Sequence, residues 1–151
     1  RMANDTDLIK LYSARILALT TDIPHLQRLE APHASVKKRS PLCGSTVFVD
    51  VEVTNGVVTK FGQDVKACAL GQAAAAVTGG AIIGLTLNEV EMGRDALRDM
   101  LKNNGPVPTA PFGGFEVLEP AREYKNRHAS ILLAIEATAE AIQQAAQTET
   151  A

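Results

Sequence analysis

Two cysteines and one histidine carry most of the chemistry available to this chain: Cys43 in PLCGSTVFVDVEV, Cys68 in KACALGQAAAA and His128 in NRHASILLAIEA. Thiolate and imidazole groups are donors for zinc and iron, and a thiolate also attacks sulfur. No Cys-x-x-Cys knuckle is present, so any metal site has to be gathered by folding from distant segments. Each residue also has a plainer reading. Cys68 beside an alanine-rich run fits a small buried side chain, and His128 ahead of Ala129 and Ser130 fits a helix-start decoration. His25 and His33 stand near prolines and charged residues, as surface histidines do.

The elements that must position these residues are legible in part. Val47, Val49, Val51 and Val53 alternate with Phe48, Asp50, Glu52 and Thr54, the period of a strand with one buried face. Asn55-Gly56 supplies a tight turn, and Val57, Thr59, Phe61, Gln63 and Val65 continue the alternation on a returning strand. The two outer ends of such a hairpin lie together. Cys43, just before the first strand, and Cys68, just after the second, are therefore brought to the same end of the sheet.

Alanines after Cys68 favour helix, with Gly71, Gly79, Gly80 and Gly84 expected to weaken or end it, so the first half of that run should be helical. A thiol at its N-terminus faces the positive end of the peptide dipoles, which favours the thiolate. A helix over 88–101 with Asn88 as cap, a loop over 103–120 dense in glycine and proline, and a last helix from about 120 or 124 to 144 follow. Upstream, apolar spacing predicts a helix over 7–20 capped by Asp5 or Thr6, and a turn of helix in DIPHLQRLE. The charged segment HASVKKRS suits an edge strand. If the last helix starts near His128, its dipole disfavours the protonated ring.

In this order and near these spacings the three phrases resemble the IscU/NifU/SufU family of iron–sulfur cluster assembly scaffolds, over about residues 7–144. Cys43 and Gly44 match its Pro-x-Cys-Gly-Asp turn, Cys68 with ALGQAAAA matches its second cysteine, and HASILLA reads against its His-Cys-Ser-hydrophobic-Leu-Ala pattern. Ser45 then stands where the family has Asp, and Ala129 where it has the third Cys. The Leu-Pro-Pro-Val-Lys segment that recruits an Hsp70-type chaperone in the IscU branch is replaced by AREYKNR.

The resemblance implies an α+β fold, a short antiparallel sheet of about three strands with helices packed on one face. It implies Cys43, Cys68 and His128 as the ligand set, Ser45 being a weak fourth, for a two-iron two-sulfur cluster or zinc. The implied function is that of a scaffold and carrier rather than an enzyme: sulfur comes from a cysteine desulfurase, iron is bound, and the cluster passes to apo iron–sulfur proteins. Two alternatives stand beside it, a zinc-binding sulfur relay (sulfurtransferase) partner of a desulfurase and a diverged binding or regulatory module without cluster chemistry. So sparse a donor set also suggests a metal-dependent homodimer.

Length and composition set the outer bounds. The 151 residues suit a single domain over 1–151, with flexible ends at about 1–5 and 145–151. A formal net charge of −2 gives no general pull toward nucleic acid or anionic membrane. No run of about twenty apolar residues suggests a membrane span, and no charged-then-apolar leader is evident. Two cysteines are few for a secreted disulfide framework, so reduced thiols and a cytoplasmic location are expected.

Overall fold

Alternating valines build the centre of the molecule. The computed structural model describes residues 11–150. Strands β1 (Ala34–Arg39), β2 (Thr46–Thr54) and β3 (Val57–Lys66) form an antiparallel sheet in the order β1-β2-β3. Asn55 and Gly56 take φ of 53° and 81°, the doubly positive turn whose twist matches that of the flanking strands. Val53 pairs Val58 while Glu52 pairs Lys60, so Thr59 is an extra residue on β3 and its hydroxyl donates to the Glu52 carbonyl at 3.1 Å. That bulge moves burial from Val57 to Val58, whereas Phe61 and Gln63 keep the expected inward positions.

Helices cover one face. They are α1 (Ala14–Thr20), α2 (Ala69–Ala81), α3 (Leu87–Lys102) and α4 (Lys125–Thr150), with a 3-10 stretch over Gly113–Glu123. α4 packs on β1 and β2 and touches α2 and α3 along its flanks. Its Ile131, Ile135 and Ile142 join Val47, Val49 and Val51 in one apolar core, together with Leu70, Leu97 and Phe115. Burying such side chains contributes roughly 1.5–3 kcal/mol each, the largest favourable contribution to the fold.

The other face is covered by the segment before β1. DIPHLQRLE forms turns rather than helix, because His25 adopts φ 59° and its carbonyl is taken by the amides of Gln27 and Gln63. Asp50, expected on a solvated face, is fully buried there. Its carboxylate accepts from the Arg28 guanidinium at 2.8 Å, the Leu29 amide at 2.9 Å and the Ser35 hydroxyl at 2.6 Å. Burial alone would raise its pKa, but these donors together hold it below the usual carboxylate value.

Several boundaries differ from the sequence expectations for identifiable reasons. α1 starts at Ala14, where Ser13 caps it by accepting the Ile16 amide; Asp5 and Thr6 lie outside the described residues. α2 runs through Gly79 and Gly80 to Ala81, and Gly79 packs so tightly against Gln63 and Pro24 that no side chain would fit. The cap of α3 is Thr86 rather than Asn88. Its hydroxyl accepts the Glu89 amide while the Glu89 carboxylate accepts the Thr86 amide, a reciprocal capping box. The expected loop over 103–120 ends in the 3-10 stretch, because Phe112, Phe115, Val117 and Leu118 are buried in the core. Finally, α4 continues to Thr150, with Ala145 fully buried.

Candidate functional site

Five chain segments converge at one end of the sheet: the end of β1, the start of β2, the end of β3, and the N-termini of α2 and α4. Cys43 sits on the turn between β1 and β2. The turn is closed by Gly44 N–H donating to the Ser40 carbonyl at 2.9 Å and Ser40 N–H donating to the Ser45 carbonyl at 2.8 Å, with Gly44 at φ +69°. A side chain at Gly44 would meet no neighbour, so the glycine is there for its backbone angle. Cys43 is thereby presented half-buried beside Leu42, which is 80% exposed, and its thiol donates to the Asn126 carbonyl on the first turn of α4 at 3.2 Å.

Cys68 is the N-cap residue of α2, in extended conformation, and its side chain makes no cap hydrogen bond. The thiol instead lies 3.5 Å from the Ser130 hydroxyl, which lies 2.9 Å from the hydroxyl of Ser45. Ser45 and Ser130 are both buried, while Cys68 and Cys43 are half-buried free thiols. The close approach depends on Gly71. A Cβ there would stand 2.8 Å from the Ser130 hydroxyl and 3.2 Å from its carbonyl oxygen.

α4 thus meets both cysteines in its first turns, the Asn126 backbone carbonyl accepting from Cys43 and the Ser130 hydroxyl lying beside Cys68. Neither residue was singled out as a site residue from the sequence. The Asn126 contact runs through its backbone, which no spacing marks, and the Ser130 contact depends on how α4 is rotated against α2.

His128 has a different setting. Its ring is buried, and Nε2 lies 2.9 Å from the Ala121 carbonyl and 3.1 Å from the Arg122 carbonyl. Two carbonyl partners require Nε2 to carry the proton and donate. The imidazole pKa is lowered, first by burial and then by the nearby Lys102 and Lys125 ammonium groups, against the opposing effect of the two carbonyls. The ring is therefore neutral at pH 7 and fastens the 3-10 stretch to the first turn of α4. Among the described residues no three His, Cys, Asp or Glu side chains are grouped closely enough to hold a metal ion. What the structure gathers is two thiols with two buried hydroxyls, and His128 hydrogen-bonds away from them.

Two thiols so placed can act as soft donors to iron or zinc, supplying half of a four-thiolate set, or as acceptors of sulfur. Hydroxyls beside them donate hydrogen bonds to sulfur but are weak ligands for these metals. No helix among the described residues is long and apolar enough to cross a membrane.

The chain matches no family model and no curated protein. It is similar to solved structures. The crystal structure of a nitrogen-fixing NifU-like protein (N-terminal) from Brucella abortus is 42% identical, with a TM-score of 0.91 over 93% of this chain and 98% of that one. A protein assigned as an iron–sulfur cluster assembly scaffold for the SUF system, from Fervidobacterium islandicum AW-1, shares the fold at 19% identity and TM-score 0.80, over 89% of this chain and 98% of that one. A hypothetical protein solved at 2.3 Å shares it at 21% identity and TM-score 0.76, over the same shares of the two chains.

Proposed function

This chain belongs to the NifU-like N-terminal family, and from that premise we propose that it is an iron–sulfur cluster assembly scaffold whose working groups are the thiols of Cys43 and Cys68. The observation that carries the proposal is that both cysteines, as free and partly accessible thiols, contact the first turns of α4, Cys43 at the Asn126 carbonyl and Cys68 at the Ser130 hydroxyl. The cargo is iron and sulfide, or a transient cluster built from them. Ser45 and Ser130 form the buried floor beside the Cys68 thiol, and His128 ties the first turn of α4 to the 3-10 stretch.

Sulfur delivery needs only one thiolate. The Cys43 or Cys68 thiolate attacks the outer sulfur of a persulfide on a cysteine desulfurase; a new S–S bond forms, the donor's S–S bond breaks, and its electron pair leaves on the donor thiolate. Leu42, exposed beside Cys43, offers an apolar contact to such a donor. Iron then binds at the sulfur-bearing cysteines, and an external two-electron reductant, a dithiol or a low-potential electron carrier, reduces the persulfide's outer sulfur to sulfide and frees the cysteine thiolate. Cluster ligation asks for more thiolates than one chain supplies, so two chains contribute Cys43 and Cys68 each and the loaded form is a dimer. Loose, shared ligation suits release to apo-proteins better than storage. The reducing cytoplasm suits free thiols of this kind.

A sulfur-relay reading is favoured by one specific feature, the hydrogen bonding of Cys68 to Ser130 and not to a third ionisable donor. A persulfide requires no further ligand. Incubation with a cysteine desulfurase and cysteine, without iron, followed by intact-mass measurement separates the two. Added sulfur on Cys43 or Cys68 that converts to a coloured cluster when ferrous iron and a dithiol reductant are supplied supports the scaffold. Sulfur that loads and unloads with iron having no effect supports the relay.

A further inference from the structure

The two thiols are not equivalent. Cys43 donates its proton to the Asn126 carbonyl at 3.2 Å, so a sulfur anion at that place would face an oxygen with no proton to offer. Cys68 is met by a hydroxyl instead, that of Ser130 at 3.5 Å, and Ser130 is met in turn by the Ser45 hydroxyl at 2.9 Å.

These two hydroxyls have two protons to place, on side chains that are 3% and 1% exposed. Among the described residues the Ser45 proton has one acceptor, the Ser130 oxygen. The Ser130 proton then has one acceptor left, the Cys68 sulfur. Any other arrangement leaves a buried hydroxyl proton unused, a cost that folded proteins avoid. Cys68 itself is half-buried, so its own proton can pass to water.

We propose that Ser45 is a positioning residue acting through Ser130: by donating to the Ser130 oxygen it turns the Ser130 proton onto the Cys68 sulfur, and this makes Cys68, not Cys43, the thiol that accepts the first sulfur. A hydrogen bond donated to sulfur stabilises negative charge on it. Such a donor increases the share of a thiol present as thiolate and tempers each thiolate's nucleophilicity, the second effect being about half the first on a logarithmic scale, so attack is faster overall. In the transfer step Cys68 loses its proton to water and its thiolate attacks the outer sulfur of the donor persulfide. The new S–S bond forms as the donor's breaks, and the electron pair leaves on the donor thiolate. Both serines keep their protons, and Ser130 goes on donating to what is now the inner sulfur. The loading order rests on the scaffold reading; the direction of the hydrogen bonds does not.

Two measurements test the proposal. The first is the rate of iodoacetamide alkylation of each cysteine at pH 7.5, read by peptide mass on wild type, S45A, S45T and S130A, with Cys43 as internal reference. The Cys68 rate relative to Cys43 is expected to fall at least about threefold in S130A, as loss of a hydrogen bond to a charged group with partial offset requires. It should fall by a smaller factor, about twofold, in S45A, where Ser130 keeps a proton but loses its direction, and stay near wild type in S45T, which retains the hydroxyl. The second needs no variant: wild type is incubated with a cysteine desulfurase and cysteine, without iron, and quenched early. Peptide mass should find sulfur on Cys68 before Cys43. Unchanged relative alkylation rates in S45A and S130A, or sulfur on Cys43 first, would overturn the proposal. Sulfur on neither cysteine, with the alkylation pattern intact, would strike the scaffold reading and the loading order with it, while the positioning of Ser130 by Ser45 would stand.

Discussion

The hydroxyl of Ser130 stands 3.5 Å from the Sγ of Cys68, and the same hydroxyl is 2.9 Å from that of Ser45. A residue of α4 therefore lies beside the Cys68 thiol, at the position where a third donor would meet it. In this protein that donor is a serine, which shapes the pocket and adds no charge to it.

Replacing that hydroxyl by a thiol should convert the pocket from two soft donors to three. S130C is expected to bind zinc at least about tenfold more tightly than wild type, because thiolate is a far better zinc ligand than a hydroxyl. A129C, one position away on the helix, should gain less. Competition with a chromophoric chelator measures both.

Removing the hydroxyl has a structural cost instead. S130A leaves the buried Ser45 hydroxyl without its partner, which costs about 1–3 kcal/mol. Urea unfolding of S130A against S45A/S130A checks it: the double variant, with neither hydroxyl left unpaired, should recover part of the loss.

Gly71 offers a test with an unusual sign. Glycine to alanine inside a helix ordinarily stabilises by about 1 kcal/mol. Here the added methyl would fall 2.8 Å from the Ser130 hydroxyl and 2.9 Å from the Ala67 Cβ, so G71A is expected to destabilise and to loosen the seam between α2 and α4. A Tm above wild type would contradict that packing.

His128 predicts a dependence on pH. Its folded pKa is lowered below the ordinary 6.5, so the unfolded chain binds the proton more readily than the folded one. The contribution of the neutral ring is complete above the unfolded value and is lost as pH falls from about 6.5 through the folded pKa. Wild type should lose more stability between pH 7.5 and 5 than H128Q, although H128Q starts lower. Sulfur acceptance at pH 7.5 should survive in H128Q, since the ring does not touch either thiol.

The cap of α3 discriminates between two adjacent candidates. T86A should cost about 1 kcal/mol, whereas N88A should change the urea midpoint little.

How far the sequence carried this picture depends on the kind of signal each segment holds. The β2–β3 hairpin was readable because strict alternation and Asn55-Gly56 act locally, and the approach of Cys43 to Cys68 followed from hairpin geometry alone. Thr86 also stands in a readable pattern, since a threonine three residues before Glu89 marks a capping box. Asp50 could not be placed, because its burial depends on Arg28 and Leu29 arriving from a segment distant in the chain. Glycine and proline density hid the 3-10 stretch, whose order comes from Phe112, Phe115 and Leu118 entering the core. For the site, phrase matching set Ala129 at the family's third cysteine, whereas the hydroxyl beside Cys68 belongs to Ser130, one position on, because helical rotation and not phrase position decides which side chain faces α2.

The central claim is that Cys43 and Cys68 together form the working site. Anaerobic incubation with ferrous iron, sulfide and a reductant, followed by the visible absorption spectrum and by molecular mass in solution, tests it on wild type, C43A and C68A. The account predicts a sulfur-to-iron charge-transfer band with dimer formation in wild type and loss of both in either variant. A band of equal strength in C43A or C68A, or no band in wild type under conditions that load a known scaffold, would contradict it.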